Sequence, residues 1–270
     1  MKLSTRSNAK PSSARLRTPW GWAGLGLALG LLVASVAFAP AQWLTSWIEQ
    51  SSQQRLRFHA VRGSIWDGSA QLSLSDGTHS QATLPARLAW RLQVDWGHAS
   101  LNIQANADCC MRSPWEMQLR PRWGGYQLQV ADSQAQWPAA WLTGLGTPWN
   151  TLALSGPITI ATKGLVWDVA AQHATLRGQV QIDALALSSR LTHLHPMGSY
   201  RLRISGGATP ELNLQTLSGD LLLSGHGLWL NGRLHFEGEA SAQAQSREAL
   251  ANLLNILGQR NGARTLIRVG

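Results

Sequence analysis

From Leu56 onward, apolar residues return at every second position with Gln, Ser, Thr and Arg between them. Leu56/Phe58/Ala60, Leu72/Leu74, Leu88/Trp90/Leu92/Val94 and Leu101/Ile103/Ala105 open the series. Trp115/Met117/Leu119 and Tyr126/Leu128/Val130 continue it. The second half adds Ile158/Ile160, Val180/Ile182, Tyr200/Leu202/Ile204, Leu212/Leu214, Leu221/Leu223, Leu228/Leu230 and Leu234/Phe236. A period of two predicts strands with one buried and one wet face. The runs break at Asp76-Gly77, Gly124-Gly125, Gly206-Gly207 and Asn231-Gly232. Asn231-Gly232 is the strongest tight-hairpin signal, because both central residues of such a turn need φ > 0. The pattern predicts an antiparallel meander of about a dozen strands.

Two stretches depart from this period. Trp137–Leu142 predicts one short helix with Pro138 in its first turn, before a loop over 144–150. Its Pro, Gly and Trp content marks a seam near 137–150. Ser246 predicts a cap for a helix through Leu257, with Glu248 in the first turn and Gly258 just beyond. Ala249, Leu250, Leu253, Leu254 and Leu257 then share a face that covers part of the sheet. Thr265–Val269 reads as a last strand. There is also an internal repeat: Ser155-Gly156 through Gly164-Leu165 matches Ser218-Gly219 through Gly227-Leu228. Both copies place apolar residues two and four positions after the glycine. A looser echo links Gly63-Ser-Ile-Trp66-Asp67 with Gly164-Leu-Val-Trp167-Asp168. Repeated strand–turn–strand units fit a sheet extended by similar hairpins.

Ahead of the strands the pattern is different. Residues 1–17 hold Lys2, Arg6, Lys10, Arg15 and Arg17 and no acid, and nothing ionisable falls between Arg17 and Glu49. Residues 20–39 are apolar enough to predict a helix of ~30 Å, the thickness of a bilayer's hydrocarbon core. The basic flank predicts a cytoplasmic tail, with the bulk of the chain on the other side of the membrane. A cleaved signal peptide competes, since Ala37-Phe38-Ala39 has the small-x-small form. Pro40 directly after that cut and the length of the apolar run favour a retained anchor. Trp20, Trp22, Trp43 and Trp47 suit headgroup-level belts, and Gly26 and Gly30 put small residues on one helical face for close packing in a membrane. The expected division is a basic tail at 1–19, an anchor at 20–39, a linker at 40–54 and a β-rich domain at 55–270.

Composition sharpens this only in part. The formal charge is +9, but the tail takes five positive charges and leaves 18 Lys+Arg against 14 Asp+Glu. The arginines are scattered along alternating strands, which is no nucleic-acid footprint. The 14 tryptophans, against five Phe and Tyr together, point to a broad β-surface or an interface rich in aromatic anchors. Cys109 and Cys110 are adjacent, and three readings compete: two buried thiols, a vicinal bridge or an intermolecular link.

No catalytic spacing occurs: there is no G-x-S-x-G elbow, P-loop, H-E-x-x-H or dinucleotide fingerprint. Ser7 and Lys10 match S-x-x-K only within the tail. His193 and His195 share a strand face but have no third ligand at a clear spacing. Asp67, Asp95 and Asp168 each adjoin a Trp, a setting that can raise a carboxyl pKa, yet nothing pairs them. The residues point to no catalysis, no cofactor and no metal.

At Gly63-Ser-Ile-Trp66-Asp67-Gly68-Ser-Ala70 the chain resembles the type II secretion system protein N family. Leu84-Pro85 and the strand Leu88-Ala-Trp90-Arg-Leu92 extend the likeness. So do Gly225-His-Gly-Leu-Trp-Leu-Asn-Gly232, Gly238 and the segment Leu253–Gly258. The resemblance implies an accessory, non-enzymatic inner-membrane subunit that supports export of folded periplasmic proteins by scaffolding or partner binding. It implies partners among the inner-membrane or secretin components of that machine, with membrane lipid contacted through the anchor. Its distant likeness to AsmA-type proteins implies a curved sheet, a groove or half-barrel with an apolar inner face. The alternative is a periplasmic lipid-carrying module, which requires an apolar trough open to solvent. A periplasmic hydrolase is a third reading and requires convergent polar residues in one pocket.

Overall fold

The computed structural model describes residues 20–77, 80–170, 174–230, 232–262 and 264–270, with side chains from residue 22. The basic tail, including Ser7 and Lys10, therefore lies outside the described residues. The chain forms two compact units, 1–39 and 40–270. In the first, helix α1 (Trp20–Ala37) runs for 18 residues, about 27 Å at 1.5 Å per residue. Among the described residues, no helix is long and apolar enough to cross a membrane.

The second unit opens on helix α2 (Ala41–Ser51), within the stretch expected as a linker. Its Ala41, Leu44 and Thr45 turn inward while Trp43 and Trp47 face out. The Glu49 carboxylate accepts the backbone N–H of Phe58 at 2.6 Å, tying the helix to the first strand.

Among the described residues, fifteen strands then form one open antiparallel sheet. They are β1 (Leu56–Gly63), β2 (Asp67–Ser75), β3 (Gln81–Asp95), β4 (Ser100–Ala107), β5 (Trp115–Arg122), β6 (Gly125–Val130), β7 (Gln134–Pro138), β8 (Pro157–Ala170) and β9 (Ala174–Leu187). After them come β10 (Gly198–Gly207), β11 (Glu211–Gly219), β12 (Leu221–Leu230), β13 (Arg233–Ala242), β14 (Gln259–Asn261) and β15 (Arg264–Val269). Neighbours follow chain order with two exceptions: β7 pairs only with β8, beside β6, and β15 lies between β13 and β14. Because β6 pairs directly with β8, the sheet runs unbroken past residues 137–150. That segment is a 3-10 turn (Ala139–Leu145) and helix α3 (Trp149–Leu152), with Trp137 and Pro138 still in β7.

Near the C-terminus, helix α4 spans Ala251–Leu257, starting later than the Ser246 cap implies. Ser246 ends a short 3-10 turn instead, and its carbonyl accepts the Leu250 N–H at 3.1 Å. The repeat has a structural counterpart. Gly156 and Gly219 both have positive φ, 127° and 115°, Gly156 directly before β8 and Gly219 at the end of β11, one residue before β12. Ile158 of β8 and Leu221 and Leu223 of β12 then enter the same core. The Trp66/Trp167 echo has no counterpart, since Trp66 lies in a turn and Trp167 within β8.

Candidate functional site: an apolar sheet face closed at one end

Cross-strand register puts the alternating apolar residues on one face. Val94 pairs with Leu101, Leu101 with Leu119, Leu119 with Leu128 and Leu128 with Trp167. Further along, Ile160 pairs with Ile182, Ile182 with Leu202 and Leu202 with Leu214. On the opposite face, four arginines pair closely with carboxylates on neighbouring strands. Arg91–Asp67 (3.0 Å), Arg177–Asp168 (2.7 Å), Arg201–Asp183 (2.7 Å) and Arg264–Glu239 (3.1 Å) are the close pairs. These four of the scattered arginines are thus cross-strand partners on a wet face, each pair of modest worth.

One end of the apolar face is plugged. The 139–145 turn, α3, the connection between β9 and β10, and α4 pack Ala139, Leu152, Leu250, Leu253 and Leu254 onto strand residues Ile158, Tyr200, Leu221 and Ala240. Leu253 is 1% exposed and Ala240 fully buried. Tyr200 donates its hydroxyl proton to the Leu221 carbonyl at 3.1 Å, and burial raises its pKa. Beside this core, Trp137 stacks on Trp141 with ring centroids 5.3 Å apart, against Leu72, Leu84 and Cys110.

At the other end of the strands, where the hairpin turns at 64–66, 96–99 and 123–124 lie, the face is left open. Val94, Tyr126 and Trp167 are 38%, 40% and 43% exposed there. Val94, Trp96, Leu101, Leu119, Pro121 and Tyr126 line a hollow of about 360 Å³.

The motif residues Gly63, Trp66, Gly68, Ala70 and Trp90 come together as one packing device. Gly63, at φ 88°, opens the turn, and the Ser64 N–H closes it on the Asp67 carbonyl at 2.9 Å. The Trp66 carbonyl accepts the Leu92 N–H at 2.7 Å, binding the turn to β3. Gly68 lies directly across from Trp90, and a Cβ there would stand 2.6 Å from the indole ring. The ring lies over the glycine, its Nε1–H donating to the Ile65 carbonyl at 3.2 Å, with Ala70 and Ala41 beside it. The family-like C-terminal segment builds a second socket of the same kind. Phe236 faces Gly227 across the ladder, and a Cβ on Gly238 would come within 2.8 Å of its ring. An aromatic over a cross-strand glycine restores the contact that glycine lacks.

The remaining candidates do not join these. In α1, a Cβ on Gly26 or Gly30 would meet nothing within 4 Å. Cys109 and Cys110 are bonded to each other, so the two-thiol reading is replaced by the vicinal bridge. Cys110 is buried, and its carbonyl accepts the Gln136 N–H at 2.6 Å, fastening the β4–β5 connection to β7. His193 and His195 are exposed in the β9–β10 connection, and no cluster of three metal-ligating side chains exists among the described residues. Asp67 and Asp168 are engaged with Arg91 and Arg177. The Asp95 carboxylate is held below its ordinary pKa by the hydrogen bond from the His98 ring, opposite to the rise that a Trp neighbour could cause. Sequence reasoning missed α2, whose one inward face carries too few large residues to stand out, and the β14 strand of three residues.

Comparison with known proteins gives this architecture a context. The family model for type II secretion system (T2SS), protein N, matches residues 54–267, from just before β1 to within β15. The chain belongs to that family. No curated protein and no solved structure matches it. Membership makes the chain an accessory component of the type II secretion system, a role that involves other components of the machine and is generally non-enzymatic. Both aromatic-on-glycine sockets fall inside the matched span.

Proposed function

We propose that this protein is a single-pass inner-membrane subunit with its tail in the cytoplasm. Its sheet then stands in the periplasm as a non-enzymatic scaffold for the secretion machine. The uncharged run from 18 to 48, long enough for the ~17–25 residues that a spanning helix uses, supports the anchor. The Cys109–Cys110 bond suits an oxidising compartment.

The observation that carries the scaffold role is the inequality of the two sheet edges. At β1, Glu49 and Ser52 of the α2 region take the Phe58 and Leu56 N–H groups, and Pro40 bridges Ser64. At the other edge, β14 pairs only with Arg264–Leu266 and leaves Ile267–Val269 without an outer neighbour among the described residues. An uncovered edge accepts a partner strand by backbone hydrogen bonding. Photocrosslinkers at Arg268 and at His59, in cells with a working secretion system, test this. Adducts to another secretion component from position 268 and none from 59 are expected; the reverse would refute the edge as the docking site.

The open apolar face favours a second reading, a lipid-carrying groove. Native mass spectrometry of the full chain decides between them. Near-stoichiometric phospholipid lost on substituting Leu119 and Tyr126 with Ser supports a groove, and lipid unaffected by those changes speaks against it.

A further inference from the structure

We propose that the hairpin turns at 96–99 and 123–124 form a rim that rests in the headgroup layer of the same bilayer that holds the anchor; this rests on the anchor reading above. Trp96 is 87% exposed and Trp123 fully exposed, the two most exposed tryptophans among the described side chains. Each stands at the tip of a hairpin, β3–β4 and β5–β6, and strand order makes these tips neighbours along one end of the sheet. At 4.7–4.9 Å between strands, the tips lie about 10 Å apart. A large indole set in water without packing loses the burial that usually justifies its place, whereas the bilayer interface receives both its apolar ring and its N–H.

Two independent features select lipid over a protein partner. The second unit enters this same end: Pro40 bridges Ser64 in the β1–β2 turn, beside the β3–β4 hairpin. β3 also continues four residues beyond Arg91, where it meets the start of β2, so β3 carries the Trp96 tip about 13 Å beyond the start of β2. The second feature is charge. Arg62, Arg120 and Arg233 lie near this end with no carboxylate partner among the described residues, against two acids without an arginine, Glu211 and Asp95, the latter bound to the His98 ring. Excess guanidinium beside exposed indole suits an anionic headgroup layer.

The test uses the full chain in vesicles of phosphatidylethanolamine and phosphatidylglycerol, with p-benzoylphenylalanine at position 96 or 123. Positions 108 and 190, exposed in connections at the opposite end of the strands, are the controls. Lipid adducts at 96 and 123 exceeding the controls by about tenfold are expected for interfacial aromatic positions. A second measurement, on W96F/W123F, should show reduced tryptophan quenching by lipids brominated near the headgroup. Equal adducts at both ends, or adducts to a second copy of the chain, in protein that floats with the vesicles, overturn the rim and leave the anchor standing. Protein that stays behind when the vesicles float overturns both.

Discussion

The plugged and open ends of the apolar face are built from the same alternating strands yet differ sharply in burial. At the plugged end, Leu84, Leu221 and Leu253 are almost wholly removed from water by the segments laid across them. At the open end, Leu101, Leu119 and Leu128 keep the same register and similar neighbours, but no segment among the described residues covers them. The strand pattern alone therefore does not make a core; the short non-strand insertions decide where one forms. What they leave open is apolar surface, which the bilayer, a lipid or a partner can cover.

The sharpest way to expose this asymmetry is to shorten one leucine at each end. Leu253→Ala should cost about 2–5 kcal/mol, because it removes buried methyl groups and leaves a cavity between α4 and the sheet. Leu119→Ala should cost about 1 kcal/mol, since that side chain is only partly buried. Urea unfolding of the full chain in detergent measures both, and equal losses would mean that the open end is covered in solution.

The aromatic sockets sharpen the comparison next. Gly68→Ala should destabilise by about 1–3 kcal/mol through the clash of its Cβ with the Trp90 ring and the Ser64 carbonyl. Trp90→Leu in the same chain should recover part of that loss, so a double-mutant cycle should give a non-zero coupling. Additive effects would show that the ring does not sit on the glycine. A smaller effect belongs to Tyr200→Phe in the plugged core. It removes the donor to the Leu221 carbonyl and should cost about 1–2 kcal/mol in the same unfolding assay, with no change in lipid association.

The strands were readable in the sequence because a half-buried antiparallel sheet imposes period two on each of its members. Asn231-Gly232 fell at the β12–β13 turn, where Gly232 has φ 76°, although Asn231 lies outside the described residues. The Gly63–Ala70 motif also pointed to a real constellation, but its meaning was hidden. Nothing in the one-dimensional spacing shows that Gly68 faces Trp90, since register depends on the turn between them and on the bulge in β3. The plug was harder still. Trp137–Leu142 looked helical, yet Trp137 and Pro138 complete a strand because β8 offers a partner that local propensity cannot reveal. Likewise α4 begins at Ala251, with Leu250 turned wholly into the core, so packing and not the Ser246 cap sets its start.

The smallest expected effect lies on the wet face, where Asp183 and Arg201 pair directly across β9 and β10 at 2.7 Å. The Arg201 hydrogen bond, helped by Gln181 and the nearby Arg203, holds the Asp183 carboxyl below its ordinary pKa. A carboxyl pKa lower in the folded than in the unfolded chain adds stability that is complete above the unfolded value, about 3.9, and is lost as pH falls through the folded value. Arg201 is protonated across this range and adds no pH dependence of its own. The pair is partly open to water, so its contribution should stay within about 1 kcal/mol. Asp183→Asn should therefore unfold slightly more easily than the parent chain at pH 7, and the gap should close as the pH falls below about 4. Urea midpoints at pH 7, 5, 4 and 3 measure the gap. A gap that widens on acidification would mean that the folded chain holds this carboxyl's proton more tightly than the unfolded chain does, so that the Arg201 contact does not favour the ionised form.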